Sequence, residues 1–338
     1  MTRVTAFTAG FDAPGSRFRI RQFIEPLAQL DVAVVERWGL GAYPPAHVWT
    51  WPLWLPGTLA ARFPGVIASH AGDVTLFQRE LLSTVATLEC LTRRPRVLDV
   101  DDAIWLNREG RSARRLANWC DLVICGNSYI AEHFSRWNSS IALLPTAVDT
   151  DRYTPRASAG DTAPVIGWIG TSSNLPYLEA IEPALSAVLD ARPTATVLVV
   201  SDREPRLQTL RPGRWRFTPW SPEREVADIQ SMTVGLMPLA NTPWAHGKCS
   251  FKMLTYMACA VPVVVSPVGM NVDVLADGEM GVAAVTTAEW VDALCDLLDS
   301  AGVRRAMGRE GRRVAEERFS VRVLAPRFAA LIKGVARP

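Results

Sequence analysis

Twelve short runs rich in β-branched and apolar residues punctuate this chain of 338 residues, and they alternate with segments long enough to be helices. Parallel strand pairs need crossover connections of about a dozen residues or more, so the alternation restricts the fold to parallel α/β sheets covered by helices. The first series of runs is 4–8, 32–36, 74–77, 96–100, 122–125 and 141–144, with helices expected over 17–30, 79–92 and 128–137. The second is 165–169, 196–201, 214–218, 233–237, 261–265 and 281–285. Nearly continuous apolar runs such as VPVVV and TVLVV suit strands covered on both faces. Between the series, the stretch 154–164 holds Pro155, Gly160 and Pro164 among small and polar residues, and reads as a linker. The expectation is two Rossmann-like, doubly wound halves, with ligands at the carboxyl ends of the strands.

Composition removes several function classes. The 36 Lys+Arg against 34 Asp+Glu leave a net +2, too little to draw the chain to nucleic acid. With 49% hydrophobic and 21% charged residues, disorder is excluded. Six cysteines without CxxC or repeated spacing read as reduced, mostly buried thiols, and the histidines show no metal-ligand spacing. No export leader is evident, and the longest apolar stretch, 257–265, falls far short of the ~20 residues that cross a bilayer, so a cytoplasmic location is expected. From 303 onward ten Arg or Lys face three Glu. That basic stretch is either the solvated face of a packed helix or a peripheral contact with anionic lipid on the inner face of the membrane.

The densest chemistry lies in 246–269, HGKCSFKMLTYMACAVPVVVSPVG. Only three lysines occur in the chain, and Lys248 and Lys252 stand four residues apart here. A helix is expected from about Cys249 to Cys259, with Pro262 opening a buried strand. The N–H groups of its first turn, near Cys249, Ser250 and Phe251, carry partial positive charge and can receive phosphate oxygens. Lys248 and Lys252 complete a diphosphate cradle, unless both are solvated surface residues. His246 is either a donor contact or an ordinary loop residue.

This block, with Met257-Ala258-Cys259-Ala260 leading into Pro262-Val263-Val264-Val265 and Gly269, resembles the C-terminal domain of GT-B nucleotide-sugar glycosyltransferases, family 4 in particular. LLPTAVDTDRYTP at 143–155 is similar to the family's interdomain segment, with Val148, Asp149, Arg152 and Tyr153 in register. Ala315, Glu317 and Phe319 resemble the approach to its last helix. The resemblance implies an acceptor-binding domain at 1–155, a nucleotide-sugar domain at 156–315 facing it across a cleft, and a helix at 316–338 crossing back to the first domain. It further implies a retaining, metal-independent transfer in which the leaving phosphate takes the acceptor proton. The nucleotide sugar is then a co-substrate, and no cofactor is needed.

Two departures from the family pattern stand out. The family's two glutamates, with seven residues between them, fall here on Gly247 and Thr255, so the chain resembles a subgroup with GKxxFKxxxYMA instead. Thr255 then has only a hydroxyl to offer the donor. The loop after the first strand of the second half, Gly170-Thr171-Ser172-Ser173-Asn174, is expected to approach the donor but lacks the Arg and Lys that many relatives carry just after it.

In the first half, Gly10 and Gly15 have P-loop spacing, yet Ser16 stands where a lysine is required, which disfavours a Walker-type NTPase. On the resemblance, Gly15 and Ser16 face the diphosphate or sugar, assisted by Arg17 or Arg19; otherwise those arginines are a solvated helix face. Asp101 and Asp102 close the run LDVDD at a strand's carboxyl end, where they either meet acceptor or sugar hydroxyls or cap a helix. With Lys248, they are the expected catalytic residues. Trp49, Trp51 and Trp54 fall within six residues and could stack on a sugar or apolar aglycone, touch a bilayer interface, or pack in the core. The acceptor is a small molecule, a glycan or a lipid-linked compound. A nucleotide-sugar epimerase of the same fold and a silent sugar-nucleotide-binding protein are the competing readings.

Overall fold

The structure is a computed structural model that describes residues 1–11, 13–39, 45, 47–156 and 163–336. Asp12 of the first glycine loop, the middle of the expected linker (157–162) and the tail cation Arg337 lie outside the described residues. Contacts group the chain into two compact units, one of Met1–Ala147, His246–Cys249 and Val321–Pro338, the other of Val148–Ala245 and Ser250–Ser320.

The first unit is a six-stranded parallel sheet of β1 (Thr2–Thr8), β2 (Val32–Trp38), β3 (Val74–Gln78), β4 (Arg96–Val100), β5 (Leu122–Cys125) and β6 (Ile141–Leu143), in the order β2-β1-β3-β4-β5-β6. Its central strands β3, β4 and β5 are buried at every position, including the polar Thr75, Gln78, Arg96 and Asp99 as well as the apolar residues of a sheet covered on both faces. Helix α1 (Trp51–Ser69) and helix α2 (Arg111–Trp119) belong to this unit. The C-terminal helix, Val321–Ala336, packs on the same sheet through Leu324, Phe328 and Ile332, with Phe328 edge-on to Phe23 at 5.3 Å. Each such fully buried side chain contributes on the order of 1.5–3 kcal/mol.

The second unit repeats the plan with β7 (Val165–Ile169), β8 (Thr196–Ser201), β9 (Trp215–Pro219), β10 (Val234–Met237), β11 (Val263–Val265) and β12 (Gly281–Ala283), ordered β12-β11-β10-β7-β8-β9 and parallel throughout. Helix α3, Phe251–Ala258, precedes β11. The winding reverses between β1 and β3 in the first sheet and between β7 and β10 in the second, the points where such sheets leave room for ligands. The segment similar to the interdomain stretch is tied into this unit: the Arg312 guanidinium donates to the carbonyls of Thr150, Tyr153 and Ala258, and Val148 pairs with Ser320.

Two expectations about helices are corrected, and one long helix was not expected. Residues 79–92 are not helical: Arg79 and Thr84 have left-handed backbones, and only Glu89–Leu91 forms a 3-10 turn. The cause is Glu89, whose buried carboxylate accepts the N–H groups of Leu81 and Thr87 and so wraps the segment around itself. The expected helix at 17–30 breaks into a π turn (Ser16–Ile20), a 3-10 turn (Arg21–Phe23) and a short α-helix (Ile24–Ala28), where Arg19 is drawn inward. Conversely, the tryptophan-rich stretch leads into the 19-residue α1, despite Pro56 and Pro64 in its interior.

Candidate active site

Beside the switch point of the first sheet, β3 ends at Gln78 and is followed by Arg79, and the adjacent β4 runs out into Asp101 and Asp102. Arg79 takes a left-handed φ of 62°, a conformation that costs a non-glycine residue about 1–2 kcal/mol. From there its guanidinium reaches both acids, with Nε donating to Asp101 Oδ1 at 2.8 Å and Nη2 to Asp102 Oδ2 at 2.5 Å. Gln78 Nε2 adds a bond to Asp101 Oδ1 at 3.2 Å.

The two carboxyls are thereby driven apart. Burial pushes Asp101 up, but the charges of Arg79 and Arg19 outweigh it and hold the acid below its ordinary range. Burial also pushes Asp102 up; Arg79 and Lys248 pull against this, the Asp101 charge adds to it, and the group stays above the ordinary range. One member of the pair is a firm anion and the other the better proton acceptor.

The segment His246–Cys249 is fastened to this cluster. Asn127 Nδ2 donates to the carbonyls of His246 and Lys248 at 3.1 Å each, while its Oδ1 caps the helix Ser128–Phe134. The Cys249 thiol donates to the Asp101 carbonyl at 3.3 Å, and the His246 ring lies 5.4 Å from that of Tyr129. A Cβ on Gly247 would stand 2.6 Å from Ala103 N and 2.7 Å from Ala103 Cβ, so this close approach to Ala103 leaves no room for a side chain. A glutamate at 247 is therefore excluded sterically. Gly247→Glu is expected to lower stability by about 1–3 kcal/mol, the range for overpacking, and to reduce rather than restore activity. Urea unfolding of the variant beside wild type checks this, and an unchanged midpoint would show that the contact yields easily.

Other expected residues of this unit have structural duties. Arg19 is 2% exposed. Its Nε and Nη2 clasp Asp99 at 2.9 and 2.5 Å, and Nη1 donates to the Leu144 carbonyl at 2.8 Å, so it is committed within the fold and does not face a ligand. Ser16 is fully buried, and its Oγ closes the loop by accepting the Gly10 N–H at 3.4 Å. Arg17 lies 4.6 Å from the Phe18 ring centroid, and Gly15 rests against the Gln78 amide. Cys249 is buried, which pushes its thiol up, so it is no thiolate.

In the second unit, β7 runs into the loop Gly170–Asn174 at that sheet's switch point. Asp202, just after β8, accepts the Ser172 N–H at 2.6 Å and the Ser172 Oγ–H at 2.7 Å. Burial works against the Asp202 charge, but these bonds hold its carboxyl below the ordinary range. Thr171 is exposed, with its Oγ1 accepting from Asn174 Nδ2 at 2.8 Å. A Cβ on Gly170 would fall 2.4 Å from Lys252 Cε: glycine here lets the lysine stem cross the end of β7. Lys252 Nζ then sits 5.5 Å from the Trp168 ring centroid.

Helix α3 begins two residues later than expected, because Ser250 adopts a left-handed φ of 51°. Ser250 is buried and donates to Asn271 Oδ1 at 2.7 Å; Thr255 is buried with its hydroxyl on the Lys252 carbonyl at 2.8 Å. Neither hydroxyl is left to face a donor, whereas Phe251 at the helix start is half-buried. The sequence reading missed Arg79 and Asp202. Asp202 directly follows a β-rich run and Arg79 stands two residues beyond one, close to the signal that did single out Asp101.

Much of the basic tail is also spent internally. Arg304 donates to the Leu298 carbonyl at 2.7 Å, Arg313 pairs with Glu310 and Glu317, and Arg318 pairs with Asp277. Among the described residues, no helix is long and apolar enough to cross a membrane, and no cluster of three His, Cys, Asp or Glu could hold a metal ion.

Residues 163–300 match the family model described as glycosyl transferases group 1, a segment that takes in the Gly170 loop, Lys252 and all six strands of the second sheet. No curated protein sequence matches the chain. Among solved structures, sucrose-phosphate synthase from Thermosynechococcus elongatus is similar at TM-score 0.75 and 16% identity, over 99% of each chain. Anabaena Alr3699/HepE in complex with UDP and glucose follows at 0.72 and 15%, over 99% of this chain and 100% of that one. WaaG, a glycosyltransferase involved in lipopolysaccharide biosynthesis, stands at 0.70 and 13%, over 98% and 100%. The two parallel six-stranded sheets with their flanking helices are thus the GT-B fold of glycosyltransferases, and across its second sheet the chain is similar to the glycosyl transferases of group 1.

Proposed function

We propose that the chain is a glycosyltransferase that moves a hexosyl group from a nucleoside-diphosphate sugar to an acceptor hydroxyl, with retention and with no metal ion. The observation that carries this reading is the pairing of Gly170 with Lys252 at the second sheet's switch point, inside the family-matched segment. As the sugar–phosphate bond stretches, negative charge grows on the diphosphate, and cations already in position stabilise that state more than the ground state. Lys252 and Lys248 are our choices for those cations, with Thr171 and the backbone of the glycine loop as further donor contacts. Asp101 and Asp102, held by Arg79, hydrogen-bond the hydroxyls of the acceptor or the transferred sugar. Lysines in this role replace the charge a metal ion would supply. The HepE structures contain UDP, UDP with glucose, or UDP-glucose, which makes a UDP-sugar the donor to try first.

The test is to incubate the full chain with UDP-, GDP- and dTDP-sugars, alone and with an acceptor panel, and to follow nucleotide release and products. Release that depends on an acceptor, with a new glycoside formed, is the expected result. A rearranged sugar nucleotide from donor alone would instead identify an epimerase. Tight binding without transfer to any acceptor would identify a silent binding protein.

A further inference from the structure

Helix α1 is built inside out. Its buried positions are Thr58, Arg62, Gly65, Val66 and Ser69, whereas its exposed positions are leucine, phenylalanine, isoleucine, proline, alanine and glycine, with no polar side chain among them. Leu53 is 85% exposed, Ile67 61% and Phe63 49%, and Trp49, just before the helix, is 78% exposed. Arg62, the helix's one charged residue, turns inward to the carbonyls of Thr8, Arg37 and Leu81 at 2.9, 3.1 and 3.1 Å. A surface helix ordinarily shows the opposite pattern, with polar residues toward water. At 1.5 Å per residue the exposed apolar positions, Pro52 to Ile67, extend over about 24 Å, more than isolated exposed hydrophobics explain.

A second feature adjoins the start of this helix. Arg108 lies 5.7 Å from the Trp51 ring centroid and also lines a pocket of about 550 Å³ together with Arg111, Arg115, Val85 and Ala86. Glu109 neutralises one of the arginines by pairing with Arg111 at 2.6 Å, so the pocket keeps a positive surplus. Arg108 and Glu109 both have left-handed backbones, with φ of 47° and 58°, which turn the chain sharply into the first turn of α2.

We infer that the exposed face of α1 and the arginine pocket at its start form a docking surface for a lipid bilayer with anionic headgroups. The apolar side chains enter the acyl boundary, Trp49 sits at headgroup level, and Arg108 and Arg115 meet lipid phosphates. A protein partner would be expected to find hydrogen-bonding groups across so long a face, and this face offers none; hydrocarbon requires none. The inference stands on this surface alone and does not depend on the transferase reading.

Co-sedimentation of the full chain with phosphatidylcholine vesicles, with and without phosphatidylglycerol, tests it. Wild type is expected to bind the mixed vesicles. Leu53→Asp combined with Ile67→Asp should weaken that binding by at least about tenfold, because two exposed apolar side chains no longer leave water. Arg108→Gln with Arg115→Gln should reduce the preference for phosphatidylglycerol on the order of tenfold. The urea unfolding midpoint, measured in parallel, should stay at wild-type level in both variants, which separates a failed surface from a failed fold. Wild type that leaves both vesicles in the supernatant, or a Leu53→Asp, Ile67→Asp variant that binds as wild type does, overturns the inference. So does a dimer in ultracentrifugation that the same two substitutions dissolve, since it would assign the face to a second copy of the chain.

Discussion

Asp99→Ala is expected to remove about 3–5 kcal/mol of stability, the range for breaking one partner out of a buried ion pair. Asp99 and Arg19 have side chains 0% and 1% exposed, and the guanidinium meets the carboxylate through two bonds. Burial works against the Arg19 charge, but the Asp99 carboxylate more than offsets this and keeps the guanidinium protonated. With alanine at 99, that buried charge would lose its directly bonded carboxylate, keeping hydrogen bonds to the Leu144 carbonyl and the Thr146 hydroxyl and the more distant Asp101 charge. Urea unfolding of the full chain measures the loss. A double variant, Arg19→Met with Asp99→Leu, should recover most of it, because the penalty belongs to the unpaired charge and not to the missing bonds. An Asp99→Ala midpoint close to that of wild type would show that the Arg19 charge finds other partners once the carboxylate is gone, and would remove the pair from the stability of the fold.

Lys248→Ala is expected to lower turnover on the order of 100-fold while leaving the unfolding midpoint close to that of wild type. The fold depends on the Lys248 backbone, since it is the carbonyl that accepts from Asn127. The ammonium contributes charge, and it already acts on Asp102. Loss of a group that stabilises the departing diphosphate should appear in kcat at saturating donor, whereas loss of a simple binding contact would appear in KM alone. Turnover near wild type would remove Lys248 from the mechanism and leave the charge to Lys252.

The architecture was legible because strand signals are local. All twelve β-rich runs appear as strands, with boundaries shifted by no more than a few residues, because an apolar run between turn residues carries its own signature. The helix expectation failed at 79–92, where the buried Glu89 overrode local preference, while 17–30 is helical but irregular, with its π turn at the buried Arg19. Prolines hid α1, which holds Pro56 and Pro64 in its interior and still forms. The candidate site was legible in part. Asp101 and Asp102 were found from their place after a strand, but the arginine that organises them was assigned to a helix that does not exist.

The sequence by itself determined two parallel α/β halves, the positions of their strands, and the clustering of two of three lysines around one helix start. Those properties depend on runs of neighbouring residues, and a chain read end to end displays them. Tertiary structure alone decided that Arg19 serves Asp99, 80 residues away, and that the thiol of Cys249 is bound to the Asp101 carbonyl, 148 residues away. It also decided that Gly247 cannot be a glutamate, because Ala103 occupies the space a side chain would need. The physical reason is that burial and close contact belong to pairs of surfaces, and a linear sequence records only one member of each pair at a time.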